Sequence, residues 1–262
     1  MAQKHSPLDY AFAVGRIRAL ENYLISYEVF KEAAEAPDLN KAVEVISEAG
    51  EFGERFLAIR TSDELENFLQ EEKIALDHLL EELFLEKSFY FYYQQAEDTE
   101  KISSLTAGAN NPFILNYFRL RIDLFNLKFF LRCHYLELPV KRFEQQFIPG
   151  GTLEKRLFIE NYNGQLEDFG QVIRFTSYFD LWQKGFDFFA SEESFIVFER
   201  EIENLLMEHL KKAKQIIFGP EPLFAYGLAR KRELKLMQMV LTGKMLRVPP
   251  QILKERISQT YV

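Results

Sequence analysis

Histidine and carboxylate side chains come closest to the spacing of a metal site at Asp77, His78 and Glu81. None of the four histidines lies in an HExxH motif or follows a Glu by three residues, as di-iron helical bundles require. An exposed polar helix surface explains this group more simply than a set of ligands does. We therefore predict no metal site, and a helical metal-dependent hydrolase that uses these three residues stays open as an alternative.

Nucleophiles and phosphate-binding loops are equally scarce in the sequence. Cys133 and His134 are neighbours, so on a helix their side chains point about 100° apart, which suits a buried structural cysteine better than a catalytic pair. Gly243–Lys244 lacks the upstream Gly and the following Ser or Thr of a phosphate loop, and the GxGxxG and GxSxG motifs do not occur. These observations predict a protein with no catalytic residue and no cofactor.

Composition predicts a folded protein that works inside the cell. Hydrophobic residues make up 47% of the 262 positions, and 26 residues are Phe, which is enough for a large core. A single cysteine excludes an internal disulfide, and the N-terminus lacks the apolar segment of a signal peptide. The longest stretch without charge, residues 102–118, contains Ser, Asn, Gly and Pro, so we expect no direct insertion into a bilayer.

Charge is distributed unevenly along the chain, whose formal net charge is −8. From residue 200 onward there are 12 Lys and Arg but 6 Glu, so the excess of acid lies in the first 199 residues. The acidic part disfavours binding to nucleic acid or anionic lipid, whereas the basic end suits an acidic partner surface. For Lys211, Lys212 and Lys214, a simpler explanation is that they complement a helix C-terminus before Gly219.

Helix start signals recur along the whole chain, whereas strand signals are scarce. Residues 6–9 combine a capping hydroxyl, a first-turn proline and an acid, and apolar residues then recur every three or four positions up to Leu24. Further starts are predicted at Asn40, Thr61, Asn111–Pro112, Pro222 and Pro250. The predicted fold class is all-α.

Some helix boundaries rest on weaker signals. The helix that begins at Thr61 is expected to run to Gln95. Residues 191–193 are expected to cap a helix that ends near Gly219. Residues such as 171–176 could be extended, although no strand is predicted there.

Residues 218–262 resemble residues 117–145 when the chain is shifted by 110 positions. In both segments a charged start is followed by an apolar helix and a proline stop. Internal duplication of a helical unit is typical of architectural proteins rather than of enzymes. The matching pairs include Arg121 with Lys231, Asp123 with Glu233, Leu136 with Leu246 and Pro139 with Pro249.

Four segments, in this order, resemble the C subunit of vacuolar/archaeal-type (V/A-type) rotary ATPases, which is called subunit d in eukaryotes. They span nearly the whole chain, so the ordered set is more specific than any one segment. The segments are Tyr10 with Arg16 and Arg18; Asp123–Lys128 with Leu131–Arg132, similar to D-x-x-N-L-K-x-x-L-R; Ile148–Gly151; and Gly219–Leu223 with Tyr226, Glu233, Gly243–Lys244 and Arg256–Tyr261.

The resemblance implies an α-helical funnel of three quasi-equivalent lobes with pseudo-threefold symmetry. With Tyr10–Leu24 as a third, looser copy of the repeat, the lobes are expected at residues 1–107, 108–218 and 219–262. The third is short, and packing with the N-terminal helices would complete it. The chain is shorter than usual members of the family, so the insertions between lobes are expected to be trimmed.

The resemblance also implies a noncatalytic central-stalk subunit that links the membrane proteolipid ring to the rotor shaft and transmits torque during proton or sodium transport. The expected partners are the ring and shaft subunits, without nucleic acid. The expected location is cytoplasmic, peripheral to the membrane through the complex. A helical adaptor for another complex stays open as an alternative.

Basic residues near these motifs are the predicted partner contacts, because they could meet acidic or carbonyl-rich loops of a ring. An equally good interpretation pairs them within the chain, with Asp123, Glu21 or Glu233. The candidates are Arg16, Arg18, Arg121, Lys128, Arg132, Arg230 and Lys244.

Overall fold

The computed structural model describes residues 5–50 and 52–262, and 74% of the structure is helical. No strand occurs in these two ranges, so the all-α prediction is confirmed. Short 3-10 helices cover Pro7–Tyr10, Glu21–Tyr23 and Lys212–Gln215. The α-helices are α1 (Ala11–Leu20), α2 (Tyr27–Glu35), α3 (Leu39–Ala49), α4 (Gly53–Leu57), α5 (Ser62–Leu83), α6 (Lys87–Gln95), α7 (Ile102–Gly108), α8 (Pro112–Tyr135), α9 (Val140–Gln146), α10 (Lys155–Glu160), α11 (Leu166–Val172), α12 (Phe179–Glu192), α13 (Ile196–Lys211), α14 (Glu221–Met245) and α15 (Pro250–Arg256).

The predicted helix starts have the local chemistry that their sequences require. Thr61 and Glu64 form a reciprocal capping box before α5, with the Thr61 hydroxyl accepting from the Glu64 amide at 3.3 Å. The Asn111 side chain accepts from the amides of Phe113 and Ile114 at 3.0 and 3.1 Å. Prolines occupy the first turns of α8, α14 and α15, where a missing amide proton costs little.

The chain divides into two compact units, of which the first comprises residues up to 93 together with residues 203–262. Within this unit α14 packs against α1, α2, α3, α5 and α15. Its apolar core includes the fully buried residues Phe30, Ile46, Phe56, Met237 and Val240. The long helix α14 is therefore buried among the N-terminal helices of the same unit.

The second unit comprises residues 94–202 and has an aromatic core. Phe130 of α8 lies 4.5 Å from Phe169, centroid to centroid, and Phe169 lies 4.8 Å from Trp182. Phe143 and Phe158 pack at 5.3 Å on the same cluster. Many of the 26 Phe residues are thus used inside a unit, where tilted and edge-on rings fill space closely.

The helix that was predicted to run from Thr61 to Gln95 is two helices, because α5 ends at Leu83. Phe84 adopts an extended conformation and is buried, with ring centroids 6.2 Å from Tyr90 and 6.4 Å from Tyr93. Burial of this ring between the two helices explains a break that has no Gly or Pro.

Two further boundary predictions were wrong. Residues 191–193 end α12 rather than capping the next helix, and Glu193 takes the left-handed conformation at φ 51°. α13 then begins at Ile196 and ends at Lys211, before a 3-10 turn. At residues 171–176, where no strand was predicted, none occurs, since α11 continues to Val172 and a turn follows.

The C-terminus of α8 is a Schellman motif. Glu137 lies in the left-handed region at φ 49°, and the Leu138 amide donates to the Cys133 carbonyl at 2.9 Å. Pro139 then precedes α9, so the long helix stops and the chain turns into a short one.

The C-terminus of α14 repeats this geometry 110 positions later. Arg247 lies at φ 55°, and the Val248 amide donates to the Gly243 carbonyl at 2.8 Å. Pro249 then precedes α15. The similarity seen in the sequence between these two segments therefore extends to their backbone conformation.

Tyr10–Leu24, the looser third copy, ends differently. It consists of two 3-10 turns flanking α1, and Leu24 at its end is extended rather than followed by a left-handed residue. The pseudo-threefold arrangement and the lobes 1–107, 108–218 and 219–262 stay predictions.

Candidate functional site

Asp123 of α8 is fully buried and accepts four hydrogen bonds from a loop and a neighbouring helix end. Its carboxylate accepts from the Thr152 amide at 2.8 Å, the Thr152 hydroxyl at 2.6 Å and the Leu153 amide at 2.9 Å. The Tyr178 hydroxyl donates to it at 2.7 Å, and burial raises the pKa of that hydroxyl well above its usual range. A Cβ at Gly151 would collide with this carboxylate, which explains the glycine in the loop.

Asn126 lies one turn further along α8 and completes the same attachment. Its side-chain amide donates to the Ile148 carbonyl at 2.8 Å, and its oxygen accepts from the Ile148 amide at 3.0 Å. Residues at i and i+3 share a helix face, so the D-x-x-N part of the signature fixes the Ile148–Gly151 turn against α8. The turn is therefore attached to α8 through both side chains.

Glu233 of α14, the repeat-equivalent of Asp123, is also buried and binds a backbone amide. It accepts from the Ile25 amide at 2.6 Å and forms an ion pair with Arg230, which also pairs with Glu72 at 2.8 Å. Arg230 stacks on Phe52 at 5.1 Å. Burial raises the pKa of Glu233 to about 7 against the lowering effect of Arg230.

Arg18 lies between an acid and a helix end. Its guanidinium pairs with Glu21 at 2.7 Å and donates to the carbonyls of Ala213 and Ile216 at 2.7 and 3.0 Å. The Ala213 carbonyl also accepts from the Ile216 amide at 3.0 Å, so Arg18 reinforces the end of the 3-10 turn and adds a donor for the Ile216 carbonyl. Arg18 therefore pairs with Glu21 and Arg230 with Glu233, as expected if the basic residues pair within the chain rather than with a partner.

Lys128 and Arg132 are the two candidates that the structure brings together. Both pair with Glu199, at 2.6 and 3.1 Å, and the Arg132 guanidinium lies 5.4 Å from the Phe195 ring. Arg132 is half-exposed, so a partner could compete for it at low cost.

The interpretation that pairs the basic residues within the chain gave Asp123 as a partner, but Arg121 does not pair with it. Its guanidinium donates to the Glu97 carbonyl at 3.3 Å, while Asp123 is occupied by Thr152, Leu153 and Tyr178. The two residues are two positions apart, so on a helix their side chains point to different faces.

Lys244 and Arg16 differ in how far each is engaged within the chain. The Lys244 ammonium donates to the Ala36 carbonyl at 2.6 Å, and burial lowers its pKa. Arg16 is half-exposed and lies 3.8 Å from the exposed carboxylate of Glu82, a loose pair. Partner contact stays a prediction for all seven residues, and Arg16 is the least constrained of those whose ion pairs are described.

Of the three residues of the alternative hydrolase site, Asp77 has a contact within the chain, whereas His78 and Glu81 are exposed. The Asp77 carboxylate accepts from the Tyr93 hydroxyl at 2.7 Å. Within residues 5–50 and 52–262, no group of three His, Cys, Asp or Glu side chains could hold a metal ion. Cys133 is buried, and burial raises the pKa of its thiol, which favours the unreactive form.

Exposed apolar side chains are a feature that reasoning from charge missed. Phe12 is 78% exposed and Phe175 is 88% exposed. On a helical wheel Phe12 lies opposite the buried face formed by Tyr10, Val14 and Ile17, so the sequence pattern alone indicates that Phe12 is exposed. In the part of the chain that the structure describes, no helix is long and apolar enough to cross a membrane.

Fold and site together define an all-α protein built on a repeated long helix whose buried acids fasten other segments to it. A family model described as ATP synthase (C/AC39) subunit matches residues 75–256, which is more than half of the chain. The chain therefore belongs to this family of V/A-type ATP synthase subunits, as the resemblance predicted. The match begins after the Tyr10–Arg18 segment. A comparison with curated proteins gives no match.

Proposed function

We propose that the chain is a noncatalytic central-stalk subunit that links a proteolipid ring to the rotor shaft and transmits torque during proton or sodium transport. Family membership provides the setting, a rotary ATP synthase complex. In this proposal three lobes form a pseudo-threefold socket, and the protein is a cytoplasmic subunit held at the membrane by its partners. Partner contacts come from exposed groups, with Arg16 and Arg132 the leading candidates.

The observation that carries the proposal is the way α8 and α14 are fastened to their surroundings. In each helix a buried acid accepts from another segment, Asp123 from two backbone amides and Glu233 from one, and a Schellman motif ends the helix. A torque-bearing element must resist bending, because flexing dissipates stored work. Moving one elementary charge across 100 mV stores about 2.3 kcal/mol, comparable to a few good contacts. Hydrogen bonds that recur along two long helices make those helices resist bending under torque.

Purification of the complex through a tag on this chain tests the proposal. We expect proteolipid and shaft subunits to copurify with the tagged chain from detergent-solubilised membranes. Membranes that contain the untagged chain serve as the control and should yield neither. Recovery of other proteins without any rotary subunit would instead favour the helical adaptor.

A further inference from the structure

A short basic and apolar surface lies at residues 211–218, where the only described contact of a lysine with a ring is that of the Lys214 ammonium, 4.8 Å from the centroid of Tyr261. Lys211 ends α13, Lys212 and Lys214 lie in the following 3-10 turn, and Ile217 and Phe218 precede α14. Ile217 is 71% exposed and Phe218 is 41% exposed. These five residues are called the 211–218 patch below.

The three lysines are not needed to satisfy the helix end that the sequence assigned to them. Arg18, held by Glu21, already donates to the carbonyls of Ala213 and Ile216 at this turn. The Ala213 carbonyl also accepts from the Ile216 amide, so the end of the turn has its donors without the lysines, and Arg18 holds the backbone of the patch in place.

The lysines also have no acidic partner in the described part of the chain. No ion pair joins Lys211, Lys212 or Lys214 to a carboxylate among residues 5–50 and 52–262, and the sequence has no acid between Glu208 and Glu221. Burial and the neighbouring charge of Lys214 lower the pKa of Lys211, so the cluster is electrostatically unfavourable by itself. An anionic partner would relieve that repulsion.

We propose that the 211–218 patch binds the anionic headgroups of a lipid bilayer, with Ile217 and Phe218 entering the headgroup layer. Lysines flanking exposed aliphatic and aromatic side chains are typical of surfaces that lie at a membrane interface. This proposal does not depend on the socket role, since family membership alone assigns the chain to an ATP synthase complex.

The apolar side chains beside the lysines favour a bilayer over an acidic protein surface. Lys211 and Lys214 are three positions apart at the 3-10 turn, so they lie on the same side of it. Exposed Ile217 and Phe218 follow them directly, and apolar groups next to positive charges suit a headgroup layer, in which both kinds of side chain find partners. The acidic remainder of the chain interferes little, because 0.1 M salt screens charges beyond about 10 Å.

Flotation of the purified full-length chain with vesicles tests the proposal. The vesicles are phosphatidylcholine alone or phosphatidylcholine with phosphatidylglycerol. We expect binding to the anionic vesicles only, weakened by added salt. The triple variant Lys211→Gln, Lys212→Gln, Lys214→Gln should bind about 100-fold more weakly, at about fivefold for each lysine. Ile217→Ser should weaken binding about tenfold.

Matched substitutions elsewhere separate a local site from a general effect of charge. Lys73→Gln, Lys141→Gln, Lys184→Gln removes the same three charges from exposed positions, and Leu246→Ser removes an equally exposed aliphatic group. Both should bind like the unaltered chain. Equal loss in the control triple, equal binding to neutral vesicles, or no binding to anionic vesicles would each overturn the proposal. So would unchanged vesicle binding of the patch variant, because the lipid contact would then lie elsewhere on the chain.

Discussion

Two buried acids, Asp123 and Glu233, show how single residues fasten long helices to their surroundings. Asp123 accepts from neutral donors alone among its described partners, whereas Glu233 combines an amide of Ile25 with the guanidinium of Arg230. Ionised acceptors make stronger hydrogen bonds than neutral ones, and burial without such bonds would be costly. The acids at equivalent repeat positions therefore have structural roles.

Stability should depend on pH through Glu233. Burial raises its pKa from 4.5 to about 7, so the folded chain binds a proton more readily than the unfolded chain between these values. The free energy of unfolding should therefore fall as pH rises through this window, by up to about 1.4 kcal/mol per pH unit from this group. Urea unfolding at pH 5, 6 and 7 measures the slope, and Glu233→Gln should remove this contribution.

An exposed acid provides the control for that measurement. Glu82→Gln should leave the pH slope unchanged, because the Glu82 side chain is largely exposed. A Glu233→Gln variant with the same slope as the unaltered chain would show that Glu233 does not titrate in this range.

Some contacts of these residues could be predicted from the sequence and others could not. The pairs Arg18–Glu21 and Arg230–Glu233 are three positions apart on helical segments, so local spacing predicted them. The bonds from Arg18 to Ala213 and Ile216 span almost 200 positions. Such long-range contacts follow from tertiary packing, which no local spacing contains.

Helix elements show the same division between local and long-range causes. Capping residues, first-turn prolines and the 110-position shift correctly predicted α8, α14 and α15. The break between α5 and α6 escaped prediction, because it depends on burial of Phe84 rather than on a helix-stopping residue. The left-handed Glu193 that ends α12 was missed for a similar reason, since Glu gives no such signal.

The two Schellman motifs make a prediction at this scale. Glu137 and Arg247 are exposed residues in the left-handed region, where a Cβ is unfavourable. Glu137→Gly and Arg247→Gly should therefore each raise the free energy of unfolding, by about 0.5–1 kcal/mol. Thermal and urea unfolding of the two variants measure the change.

Glycine in a regular helix provides a control of opposite sign. Arg119 is exposed within α8, and Arg119→Gly should lower the free energy of unfolding by about 1 kcal/mol. If the substitutions at positions 137 and 247 destabilised the chain as Arg119→Gly does, the left-handed helix endings would be contradicted.

The whole molecule is an all-α member of the ATP synthase (C/AC39) subunit family. The sequence predicted this class because its motifs keep their order along the chain. The number of lobes stays a prediction, because it depends on how the segments assemble. The third copy of the repeat, Tyr10–Leu24, differs too much from the other two to define a lobe from its sequence. Arg16 and Arg132 are half-exposed and Phe12 is exposed, and partner contact at these side chains stays a proposal.

The central claim is that this chain couples the rotor shaft to the proteolipid ring. Its most direct test compares ATP hydrolysis and ATP-driven ion uptake in membrane vesicles that contain the rotary complex with and without the chain. We predict that, without it, hydrolysis continues while ion uptake is lost, and that adding the purified chain restores uptake. Ion uptake that remains fully coupled to hydrolysis in the absence of the chain would contradict the account.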